Sequence, residues 1–168
     1  MHSNLEIHPV TPADHPVAQR LWQLFRHEMS AFTGALPKPD GTFRSERLQS
    51  ALGDDPDWAA YLVMSGQAPV GLVLIRALTE PTRVLNSYFI VRGARQQGIG
   101  LRAVREIVAR HPGPWKVAFQ DANVAAVRFW RRVAGELAPD SWTEERVPVS
   151  RRPELPPDVW ISFVSEAG

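Results

Sequence analysis

Arg95-Gln96-Gln97-Gly98-Ile99-Gly100 is the stretch whose residue types and spacing could do chemistry. An apolar run, Val84 to Val91, precedes it, and an amphipathic run, Ile99 to Arg110, follows it. The pattern predicts a strand, a tight Gly-rich turn and a helix. Such a turn leaves several backbone N–H groups aimed at one spot in front of a helix N-terminus, where the helix dipole adds partial positive charge. The result is an anion site, best suited to a phosphate or pyrophosphate. Gly98 and Gly100 let the backbone approach a ligand without a Cβ in the way, and Arg95 adds a cation. Two other phosphate motifs fail. A nucleotide P-loop wants Gly-Lys-Ser/Thr where Ile99-Gly100-Leu101 stands. A dinucleotide fingerprint wants a different strand order, and an acidic residue that Lys116 to Gln120 does not supply.

The elements around that turn are legible from pattern. Leu5 to Val10 alternates as a strand. Thr11-Pro12-Ala13-Asp14 starts a helix carrying Val17, Leu21, Leu24, Phe25, Met29 and Phe32 on one stripe. Gly34 to Gly41 is a loop, and Phe43 to Leu52 a short second helix stopped by Gly53. Trp58–Met64, Val70–Leu78 and Val84–Val91 read as three strands. After the turn, Ile99, Ala103, Val104, Ile107 and Val108 form a helical apolar stripe. Trp115 to Gln120 is a strand, and a last helix runs to about Val133 with Asp121 or Asn123 as its cap. Trp142–Val149 and Val159–Val164 close the chain as strands. The order β-α-α-β-β-β-α-β-α-β-β predicts an α/β fold, a mixed sheet of about seven strands flanked by four helices.

The chain's 168 residues suit one domain, spanning 1–168. A net charge of +1 gives no reason to expect nucleic acid or another polyanion as partner. The absence of cysteine excludes disulfides and thiol chemistry and fits a cytoplasmic setting. No apolar run reaches the ~18 residues that span a membrane, and Met1-His2-Ser3-Asn4 does not open like a signal peptide.

One strand beyond the turn stands Asn123-x-x-Ala126-x-x-Phe129-Trp130. With this second motif the chain resembles the GNAT superfamily of acyl-CoA N-acyltransferases. Arg95 to Gly100 matches that family's Q/R-x-x-G-x-G/A pyrophosphate loop, and Asn123 to Trp130 its N-x-x-A-x-x-h-Y helix, where h is apolar. The resemblance implies a GNAT fold, acetyl-CoA as co-substrate, no metal, and a primary amine of a small molecule or peptide as acceptor. It implies that main-chain N–H groups of Gln96, Gln97, Gly98, Ile99, Gly100 and Leu101 hold the pyrophosphate. The pantetheine arm is expected on the main chain of Phe89 and Ile90, at a splay between two strands, with Asn123 bonding it and Trp130 walling the thioester. A backbone N–H of the splayed strand would stabilise the oxyanion. Dimers are common in the family, so a homodimer through the closing strands is a further expectation.

Departures from the family pattern bear on mechanism. Many members have a Tyr as general acid where Trp130 stands, and an indole N–H has no usable acidity. Many have a Glu where Ala118 stands or on the strand before the loop, yet Val84 to Val91 holds no carboxylate. Tyr88, His27 and Glu28 are the remaining candidates for proton transfer. Otherwise the amine arrives neutral and positioning suffices, since proton transfer contributes only ~10²–10⁴-fold. A third reading is a non-catalytic acyl-CoA-binding or regulatory module. Gly113-x-Trp115, Phe129-Trp130-Arg131-Arg132 and Arg26-His27-Glu28-Met29-Ser30 resemble a bacterial GNAT subgroup of unassigned substrate. That subgroup tends to carry Glu where Ser87 stands.

Overall fold

The computed structural model describes residues 4–165, so the reading of Met1–Ser3 lies outside the described residues. Seven strands form one sheet in the order β1-β2-β3-β4-β5-β7-β6. They are β1 (Leu5–Pro9), β2 (Ala59–Ser65), β3 (Ala68–Arg76), β4 (Arg83–Ile90), β5 (Gly113–Phe119), β6 (Thr143–Val147) and β7 (Asp158–Ser165). Four helices flank them: α1 (His15–Thr33), α2 (Glu46–Leu52), α3 (Ile99–Arg110) and α4 (Val124–Leu137). All neighbouring strands are antiparallel except β4 and β5. The sequence-derived order and architecture hold.

The sheet separates two cores, and side-chain alternation decides which residue serves which. Ala60 and Leu62 of β2 and Leu72 and Leu74 of β3 face α1 and α2, together with Ala18, Leu21, Trp22 and Leu48. Tyr61, Val63, Val73 and Ile75 face the other way, toward Ile99, Ala103, Val104, Ile107 and Val108 of α3. The predicted α3 stripe is therefore the buried one. On α1 the stripe is narrower than predicted: Leu24 and Phe32 are 52% and 38% exposed.

The second helix starts at Glu46, not at Phe43. Gln23 of α1 explains this. Its side chain accepts from the Phe43 N–H at 2.7 Å and donates to the Phe43 carbonyl at 3.2 Å. The Arg44 carbonyl accepts from the Trp22 indole at 2.8 Å. Those backbone groups are paired with α1 and cannot join a helical ladder. The last helix runs one turn past the predicted Val133, to Leu137. Leu137 packs against the larger core.

Two irregularities in β4 shape the functional region. Leu74 of β3 pairs with Ser87 but Ile75 pairs with Leu85, so Asn86 is an extra residue, a β-bulge. The bulge changes the strand's parity: Leu85 and Tyr88, three apart, both pack on the larger core. Beside it, β4 and β5 pair only through Arg83↔Trp115, Val84↔Lys116 and Leu85↔Val117. Past Leu85 the two strands part.

Candidate active site

The parting of β4 and β5 opens a cavity of about 90 Å³. Phe25 and Met29 of α1 wall one side, Asn86, Ser87 and Tyr88 of β4 a second, and Ala118 and Gln120 a third. Asn123, Ala126 and Trp130 close it from α4. Tyr88 is the sole titratable side chain in this lining. No carboxylate stands at Ala118 or along β4.

Beyond the cavity, the chain leaves β4 through a 3₁₀ turn, Arg92–Ala94, and enters α3. Gln96 and Gly98 both have left-handed backbone, with φ of 67° and 74°. Gly98 is the N-cap residue of α3. A Cβ built at Gly98 meets no atom within 4 Å, so here the glycine answers a backbone demand. Arg102 is the first residue of α3 whose N–H finds a helical carbonyl, that of Gly98 at 3.1 Å. The amides ahead of it are the unpaired donors that a helix start leaves, converging on one spot. At Gly100 packing also demands a glycine. Its Cβ would lie 3.1 Å from the Phe129 ring and 3.4 Å from the Tyr88 hydroxyl. It is small so that α3 can seat against β4 and α4.

Strand alternation assigns the backbone groups at the splay. The Val91 N–H bonds the Val70 carbonyl at 2.8 Å, and Phe89 pairs with Leu72 two residues earlier. The main chain of Phe89 therefore belongs to the β3 ladder, and the groups of Tyr88 and Ile90 turn to the gap. This moves the expected pantetheine edge from Phe89 and Ile90 to Tyr88 and Ile90. The Ile90 carbonyl already accepts from Arg95 Nε at 2.8 Å.

Arg95, the cation beside the loop, has its guanidinium engaged within the protein. Besides Ile90 it donates to Glu28 at 2.7 Å, and it lies 5.8 Å over the Phe89 ring. Arg92 donates to the same carboxylate at 3.1 Å. Burial acts to raise the Glu28 pKa, but the hydrogen bonds and charges of Arg95 and Arg92 outweigh it and hold the carboxyl below its usual range. A carboxylate so held is a poor base, and it does not line the cavity. Its visible part is a strap from α1 to the loop, which sequence reasoning missed because the partners lie far apart in the chain.

The other two proton-transfer candidates are placed as follows. His27 is exposed, its ring 6.5 Å from Phe43, away from the cavity lining. Tyr88 is in the cavity wall, but its hydroxyl donates to the Gly100 carbonyl at 2.6 Å. Its ring stacks on Phe129 and meets Trp130 edge-on. Burial pushes its pKa far above the ordinary phenol value. Asn123 caps α4, its Oδ1 accepting from the Ala126 N–H at 3.1 Å, and it lines the cavity. Trp130 is 5% exposed and fills the wall beside Tyr88.

The family model of the acetyltransferase (GNAT) family matches residues 19–135. The chain belongs to the GNAT acetyltransferase family. No curated protein matches it. Among solved structures, an acetyltransferase from Thermus thermophilus is 21% identical, with a TM-score of 0.68 over 98% of this chain and 99% of that one. A GNAT acetyltransferase from Elizabethkingia anophelis with acetyl-CoA bound is 10% identical, with a TM-score of 0.65 over 96% and 98%. Spermidine N-acetyltransferase from Vibrio cholerae, in complex with CoA and spermine, is 12% identical, with a TM-score of 0.68 over 96% and 95%. At these identities the likeness is one of fold. Among the described residues, no helix of this GNAT protein is long and apolar enough to cross a membrane.

Proposed function

We propose that this GNAT protein transfers an acetyl group from acetyl-CoA to a primary amine of a small molecule or peptide. The observation that carries the reading is the continuity of three features. The unpaired amides at the start of α3 face the anion spot, the edge of Tyr88 and Ile90 that β5 leaves unpaired leads away from it, and the cavity lies at the edge's inner end. A pyrophosphate on Gln96 to Leu101 would direct the pantetheine along that edge and the thioester to Asn86, Ser87 and Tyr88. The edge amides would donate to the thioester oxygen as it becomes an oxyanion, and Asn123 would hold the pantetheine.

The amine nitrogen attacks the thioester carbon, the C–S bond breaks, and the proton lost by nitrogen balances the departing thiolate. With no carboxylate or imidazole in the cavity lining, the amine enters neutral. The rate then rises with pH through the amine's own pKa. The whole of 1–168 acts as one such domain, in the cytoplasm, and a homodimer through β6 and β7 is compatible with it.

The empty acid–base slots favour one second reading, a module that binds acyl-CoA without catalysis. Titration with acetyl-CoA, followed by thiol release over an amine panel, decides. Saturable binding with release on some amine is the expected result. Binding without release on any amine supports the module, and no binding of acetyl-CoA overturns both.

A further inference from the structure

The bulge at Asn86 gathers positive charge at the rim of the cavity. The Asn86 side-chain carbonyl accepts from Arg76 Nε at 3.0 Å and from Arg47 Nη1 at 3.2 Å. Its amide nitrogen donates to Ser87 Oγ at 3.0 Å, and both Asn86 and Ser87 line the cavity. One neutral oxygen thus holds two guanidinium groups. Among the described residues, neither arginine has a carboxylate within ion-pair distance, whereas Arg92, Arg95, Arg131 and Arg146 elsewhere in the fold each do.

Burial disfavours the charge on Arg76, and Arg47 beside it disfavours it further; Asp57 offsets this in part. Two like charges brought to one neutral acceptor repel unless an anion joins them, and a guanidinium fork matches a carboxylate in geometry. Each of the two guanidiniums keeps N–H groups beyond the one spent on Asn86.

We infer that the amine acceptor carries a carboxylate, bound between Arg47 and Arg76 beside Asn86, as in a free amino acid. This deepens the acetyl-transfer reading and rests on it. The carboxylate would anchor at the bulge while the amine reaches past Ser87 to the thioester. The same charges disfavour polycationic acceptors, which would bring further positive charge to this rim.

The test is thiol release from acetyl-CoA with α-, β- and γ-amino acids, each paired with its carboxamide, and with a polyamine. The expected result is a carboxylate member whose kcat/KM exceeds that of its carboxamide by at least tenfold. Arg47 is exposed, so Arg47→Gln should fold normally. It should raise the KM for that amino acid at least tenfold, leave kcat within about twofold, and leave carboxamide turnover and acetyl-CoA affinity unchanged. Arg76→Gln should act in the same direction. Equal or better turnover of carboxamides or the polyamine overturns the inference while leaving the acetyltransferase reading intact, as does an unchanged KM in both variants. No acetyl-CoA binding, or no release on any amine, overturns that reading and this inference with it.

Discussion

Replacing Tyr88 with Phe separates a structural tyrosine from a catalytic one. The substitution deletes a single hydroxyl, whose one protein partner is the Gly100 carbonyl at 2.6 Å. A buried hydrogen bond of this kind contributes about 0.5–1.5 kcal/mol net. Gly100 lies in the first turn of α3, so its carbonyl keeps the helical bond from the amide four residues on and is not orphaned. The ring stays in place against Phe129 and Trp130. The cost should therefore be about 1 kcal/mol, which for a domain of 150–250 residues lowers Tm by roughly 2–4 °C. Loss of a proton-transfer group would instead lower the rate by ~10²–10⁴-fold. Thermal unfolding of Tyr88→Phe, with thiol release at saturating acetyl-CoA and amine, reads both quantities. A small fall in Tm with kcat within about threefold of wild type is expected. A hundredfold fall in kcat with Tm unchanged would refute the placement of Tyr88 as a prop for α3.

The strap between α1 and the loop predicts that Glu28→Gln leaves kcat within about threefold. It should leave acetyl-CoA affinity equal or tighter, because a negative charge is removed near the anion spot; a hundredfold loss of kcat would restore Glu28 as a base. The depressed Glu28 pKa contributes stability above the carboxylate's unfolded value, ~4.3, and that stability is lost as pH falls through the folded value. Comparing urea midpoints of wild type and Glu28→Gln between pH 6 and 3 checks this, and equal pH slopes would contradict it. At the opposite end of the sheet, burial and then the charges of Arg83 and Arg110 lower the His111 pKa, where its Nε2 lies 2.9 Å from the Tyr61 hydroxyl. Its unfolded form takes up protons first, so stability from this group is full above pH ~6.5 and declines below it. The wild-type urea midpoint should drop between pH 7.5 and 5.5 more steeply than that of His111→Gln, and equal slopes would count against the assignment.

The sequence carried the fold well where periodicity is strong. The buried face of α3, Ile99 to Val108, follows from a 3.6-residue spacing alone. It also located the loop and Asn123, because glycines and a helix cap leave local signatures. Long-range pairings were not legible. Gln23 holding Phe43, and Glu28 holding Arg92 and Arg95, join residues whose neighbours in the chain give no hint of each other. The bulge at Asn86 was hidden for another reason. A run such as Val84 to Val91 reads as one continuous apolar strand, and only the β3 register shows that Asn86 has no partner. That one residue re-aims Tyr88, ends the pairing with β5, and exposes the amide that Arg47 and Arg76 share. The outward edge expected at Phe89 moved to Tyr88 because orientation depends on the ladder and not on spacing.

The central claim is that Gln96 to Leu101 hold the pyrophosphate of acetyl-CoA, and Gly98 offers the most direct test. Its backbone is left-handed and a Cβ there meets open space. Asn and Asp are the non-glycine residues that best tolerate such a conformation. Gly98→Asn and Gly98→Asp therefore share shape and backbone strain and differ in charge alone. One unit charge ~6 Å from a phosphate at an effective dielectric of ~40 costs roughly 1.4 kcal/mol, a factor of ten in Kd. Calorimetric titration of acetyl-CoA should give a Kd for the Asp variant at least tenfold weaker than for the Asn variant, with the gap narrowing in high salt. Equal affinities in the two folded variants would contradict the assignment of this loop.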